Sequence, residues 1–126
     1  MESPNTFFSF QKLLVWQKSR ELVKRVYSVL ESFPQAERFS LADQLRRAVI
    51  SVPSNIAEGS AKESPKDQIR FIEIAYGSLM EVFCQLQLAE DLGYISRERF
   101  EDLGARIQEI ARMLSGLRRN KQSNQS

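Results

Sequence analysis

Gln44-Leu45-Arg46-Arg47-Ala48-Val49-Ile50-Ser51-Val52-Pro53-Ser54-Asn55-Ile56-Ala57-Glu58-Gly59 decides the fold. With Leu41 just upstream, Leu45, Ala48, Val49, Val52 and Ile56 recur at the three-and-four spacing that puts side chains on one helix face. Ser40 before the run and Asp43 within it form a capping arrangement with Asp in place of Glu. Pro53 has no N–H for the Val49 carbonyl, and its ring crowds that oxygen, so a helix kinked at Pro53 is predicted. The alternative is a break at Val52 into two helices. Gly59 is the predicted stop.

Three further helical segments surround this one. The first is expected from about Gln11 to Ser32, with Val15, Leu22, Val26, Val29 and Phe33 inward and Phe33-Pro34 ending it. At least one of Phe7, Phe8 and Phe10 is expected to fold back over the end of the core. Ser64-Pro65-Lys66-Asp67 starts the third: a capping serine, proline at the first helical position and an acid in the first turn. It is expected to run to Leu92 and stop at Gly93, with Gly77 marking a close helix approach. Its apolar positions are broad, from Phe71 and Ile72 to Leu86 and Ala89, with Ile74 and Leu88 off the main line. That breadth suggests a central helix or one that also meets another subunit. Ser96 caps the fourth, which carries Phe100, Leu103, Ile107, Ile110, Leu114 and Leu117. Four helices on short connections predict an all-α, antiparallel up-down-up-down four-helix bundle. Residues 1–126 read as one domain, its core at about 10–119, with disorder expected in the first several residues and after about Arg119.

Composition narrows the chemistry. The chain has 126 residues, a formal charge of +2, no histidine and one cysteine. Histidine-based acid–base catalysis and His-containing zinc patterns are therefore excluded. Cys84 lies in an apolar run and is expected to be buried. No catalytic residue, metal ligand or cofactor motif emerges. Nothing near the start resembles a leader, and no apolar run reaches the roughly 18 residues of a membrane span. A cytoplasmic protein without a membrane partner is expected.

Candidate binding residues lie around the proline. Arg46 and Arg47, extended across the Gly59 turn by Lys62, Lys66 and Arg70, form a candidate phosphate-contacting set. Alternatively, at least one of the two arginines pairs with Glu81 or Glu58 inside or between bundles, Arg47 being the first candidate partner of Glu81. Asn55, Glu58, Tyr76 and Glu81 are the candidate structural polar network, in which Asn55 satisfies backbone groups released by Pro53 or anchors the following loop.

With Arg46-Arg47-Ala48, Ser54-Asn55-Ile56-Ala57-Glu58-Gly59 and Ile74-Ala75-Tyr76-Gly77-Ser78-Leu79-Met80-Glu81 placed, a resemblance emerges. Leu13-Leu14-Val15-Trp16-Gln17-Lys18 and Leu92-Gly93-Tyr94-Ile95 extend it over nearly the whole chain. The sequence resembles the small four-helix-bundle proteins encoded in intervening sequences of 23S rRNA genes. These are related to the accessory protein of diversity-generating retroelements, which associates with nucleic acid and reverse transcriptase. The resemblance implies a bundle, self-association in five-fold rings, and an RNA, DNA or protein partner. It implies no settled biochemical activity. Two expectations follow: a non-enzymatic homo-oligomeric scaffold or adaptor, and an RNA/DNA-binding ring in which modest Arg/Lys groups sum over the subunits.

Overall fold

The computed structural model describes residues 6–124 and contains four long helices: α1 (Leu14–Leu30), α2 (Leu41–Ser60), α3 (Pro65–Asp91) and α4 (Arg97–Ser123). Each packs on its neighbours in sequence, and α4 closes the set against α1, while the diagonal pairs α1–α3 and α2–α4 do not meet. Side-chain contacts give the direction of each pair. Ser51 meets Ser78 and Gly59 meets Phe71, so α2 and α3 run antiparallel. Phe83 against Phe100 and Glu73 on Arg118 do the same for α3–α4; Lys18–Glu109 and Ser28–Arg99 do so for α1–α4. The result is the up-down-up-down bundle.

The apolar seams face one shared interior. Leu22, Val26, Val29, Leu45, Val49, Val52, Leu79, Val82, Leu86, Ile110 and Leu114 are essentially inaccessible to water. Burial on this scale is the main favourable term in the fold, at roughly 25 cal/mol per Å² of apolar surface. One buried hydroxyl, on Ser19, donates to the Val15 carbonyl at 2.8 Å. Phe33 packs on Tyr94 and Ile95 is buried beside it, closing one end.

Several local expectations need correction. The first helix begins at Leu14, because Ser9–Lys12 forms a separate 3₁₀ turn. Gln11 holds that turn, its Oε1 accepting the Phe7 and Phe8 N–H groups at 2.8 and 2.9 Å. Only Phe10 turns inward, onto Trp16; Phe7 and Phe8 are exposed. Ser40 does not cap α2. Its hydroxyl donates to Glu37, whose Oε1 also accepts the Leu41 N–H at 3.4 Å, so the carboxylate does the capping. α2 is one continuous helix through Pro53, which disposes of a break at Val52. Gly59 lies inside α2 and is not its stop: a Cβ there would sit 2.8 Å from Cβ of Phe71. The close approach expected at Gly77 therefore occurs at Gly59, for an added Cβ on Gly77 meets nothing within 4 Å. Gly93, at φ 78°, does end α3. Cys84 is exposed, because it projects from the outer side of α3. The fourth helix continues past Arg119 to Ser123. The expected disorder at residues 1–5 and 125–126 lies outside the described residues.

Candidate functional site

The five candidate phosphate-contacting cations do not form one patch. Arg46 turns toward α1, its guanidinium 6.0 Å from the Tyr27 ring centre, and pairs with Asp43 at 3.5 Å. Arg47 projects to the outside and reaches the same carboxylate at 3.1 Å. Both arginines are thus held within their own helix by Asp43, and neither pairs with Glu81 or Glu58. An exposed i,i+4 pair of this kind contributes only about 0.3–0.5 kcal/mol, so Arg47 is readily recruited elsewhere.

Lys62, Lys66 and Arg70 gather at the α2–α3 turn, about 20 Å along α2 from Arg47 at 1.5 Å per residue. Lys62 and Arg70 lie over the Phe71 ring, at 5.2 and 4.8 Å from its centre. The Gln68 side chain donates to the Lys62 carbonyl at 2.7 Å and so fixes the turn. Among the described residues, none of these three cations has a carboxylate partner.

The candidate polar network is brought together only in part. Asn55 Nδ2 donates to the Ser51 carbonyl and hydroxyl, at 2.8 and 2.9 Å, and Ser51 Oγ meets Ser78 Oγ at 2.8 Å. Asn55 thus back-bonds one turn up its helix instead of reaching the Val49 carbonyl freed by Pro53. Glu58 and Glu81 are exposed and without a partner among the described residues. Tyr76 lies on the opposite flank of α3, in a cavity of about 330 Å³ beside Glu73 and Arg118, which pair at 2.8 Å.

Two features escaped sequence reasoning. Glu37 joins the two ends of the chain's connections, accepting from Ser40 and, at 2.7 Å, from the Tyr94 hydroxyl. These bonds hold its carboxyl below the usual range, the Ser40 bond contributing most, while the carboxylate pushes the Tyr94 phenol up. Finally, Phe10, Trp16 and Arg20 stack at one end of the α1–α2 groove. No signal in a single sequence pairs Glu37 with Tyr94, since 57 residues separate them. Among the described residues, no group of three His, Cys, Asp or Glu is placed to hold a metal ion, and no helix is long and apolar enough to cross a membrane.

Comparison with known proteins gives consistent matches. The family model of the 23S rRNA-intervening sequence protein matches residues 11–116. Among solved structures, a protein of unknown function from the S23 ribosomal protein family of Bacteroides thetaiotaomicron VPI-5482 superposes with a TM-score of 0.78. That alignment covers 83% of this chain and 98% of the other, at 26% identity. Among curated proteins, none matches.

Proposed function

The chain belongs to the 23S rRNA-intervening sequence protein family, and we propose that within it this protein is a non-enzymatic homo-oligomeric scaffold or adaptor whose copies meet along the outer face of α3. The observation that carries the reading is the apolar stripe on that face. Ile74, Leu88 and Leu92 are 42%, 46% and 56% exposed, and Gly77, Glu81 and Cys84 lie between them at helical spacing. From Ile74 to Leu92 the stripe runs about 27 Å. The open space over Gly77 lets a second helix approach closely. Glu81, unpaired among the described residues, is complementary to an Arg47 of a neighbouring copy, which Asp43 holds only weakly. A closed ring of five, as the family resemblance implies, would cover the stripe on every copy.

Light scattering tests this directly. The wild-type chain is expected at a multiple of its monomer mass, and the double variant Ile74→Asp, Leu88→Glu at the monomer mass with unchanged helical circular dichroism. A wild-type monomer at every concentration would refute the reading.

The alternative, an RNA/DNA-binding ring, draws on a different observation: among the described residues, Lys62, Lys66 and Arg70 cluster without carboxylate partners. Copies around a ring would sum these small groups into a larger field. Anisotropy titration with structured RNA at two salt concentrations separates the two. Absence of binding at low salt, with the oligomer intact, removes the alternative.

A further inference from the structure

The groove between α1 and α2 is built differently from the other three helix pairings. Those are crossed by polar links: Ser51–Ser78, Glu73–Arg118, and Lys18–Glu109 with Arg99–Ser28. Among the described residues, no hydrogen bond or ion pair joins α1 to α2; apolar contact and the Arg46–Tyr27 stacking hold them. The groove is an open depression of about 400 Å³, with Trp16, Val23, Ile50 and Pro53 as its apolar floor and Arg20 and Lys24 on its rim. No carboxylate lines it. Ile50 is 42% exposed, and the exposed Tyr27 lies further along α1 with the Arg46 guanidinium over its ring.

The rim charges are available. The Arg20 guanidinium lies 5.5 Å from the Trp16 ring centre and makes no ion pair among the described residues. Lys24 approaches only Glu21, at 3.8 Å and well exposed, a contact of little strength.

We propose that this groove docks an acidic amphipathic helix of a partner protein. Large aliphatic or aromatic side chains of that helix seat against Trp16, Val23 and Ile50, and its carboxylates pair with Arg20 and Lys24. A protein segment is favoured over nucleic acid because Trp16 offers no free stacking platform. Arg20 lies over the ring and Phe10 packs against it at 5.0 Å, edge to face. Two rim cations also make too short a track for a phosphate chain. The inference supplies the adaptor with a partner and does not depend on self-association.

Trp16 is the only tryptophan, so its emission reports the groove in the full-length chain. The probe is a synthetic tryptophan-free helical peptide with Leu and Phe at i, i+3, i+4 and i+7 and Glu on its flanks. The controls are the same peptide with every Glu replaced by Lys, and single-stranded oligouridine. The acidic peptide is expected to shift Trp16 emission saturably, and the Lys peptide to bind about tenfold more weakly or less. Ile50→Asp and Lys24→Glu, both at exposed positions, are each expected to weaken the acidic peptide several-fold. Circular dichroism and scattering mass, read on the same samples, separate loss of the groove from loss of fold or assembly. Equal responses to both peptides, a response to oligouridine alone, variants that bind like wild type, or no response to any probe would each overturn the proposal.

Discussion

Replacing Gly59 by alanine sets a methyl carbon 2.8 Å from Cβ of Phe71, inside the distance real carbons keep. Phe71 Cβ is bonded to the α3 backbone and cannot swing aside as a side-chain tip would. α2 and α3 must therefore part locally, and overpacking of this kind costs about 1–3 kcal/mol. Against that, alanine recovers up to about 0.8–1.0 kcal/mol of helix propensity, and less so near close to a helix end. Gly116→Ala is the matched control: it lies inside α4, and its added Cβ meets only Arg119 Nη2 at 3.8 Å, an ordinary contact. That variant is expected to gain the propensity term alone. The two variants should thus differ by about 1–4 kcal/mol. At about 2.1 cal/mol/K per residue, a chain this long shifts by about 4 °C per kcal/mol, so the melting temperatures should separate by about 4–15 °C. The assay is thermal circular dichroism at matched protein concentration, since self-association moves Tm by mass action. A Gly59→Ala protein that melts at or above Gly116→Ala would refute the close-approach argument.

The ends of the helices carry three further expected outcomes. The folded Glu37 carboxyl lies below its ordinary 4.5, so its contribution is present above that pH and is lost as pH falls through the folded value. Tyr94 lies above its ordinary 10.0, so its contribution holds below pH 10 and is lost as pH rises through the folded value. Glu37→Gln should therefore cost more stability at pH 7 than at pH 3 in denaturant titrations; equal costs would contradict the clamp. Ser64→Ala should lose about 1 kcal/mol, because Ser64 Oγ accepts the Asp67 N–H at 3.1 Å. Ser40→Ala should lose less, since Glu37 accepts the Leu41 N–H; equal losses would show Ser40 capping directly.

The candidate site was legible in its residue types but not in its grouping. Arg46 and Arg47 are neighbours in sequence, yet one helical step of about 100° sends one toward Tyr27 and the other outward. Their shared partner, Asp43, lies on their own helix, and i,i+3 and i,i+4 pairs were open to inspection there. Glu73–Arg118 was not, because it depends on how α3 and α4 slide past each other. Tyr76 and Glu81 share one helix, but Tyr76 lies in the cavity beside Glu73 and Arg118 while Glu81 is exposed without a partner among the described residues, so no network joins them.

By itself the sequence determined the number of helices, their inward stripes and most of their ends, because these depend on interactions within about four residues. Ser64, Pro65 and Ser96 act where their spacing says, and Gly93 takes the positive φ that its place after α3 invites. Only the tertiary structure decided that Gly59 is a contact and Gly77 an opening, that Cys84 faces out, and that, among the described residues, α1 and α2 meet without a polar link. These depend on the rotation and offset of whole helices, which the packing of many side chains selects together and no local pattern encodes.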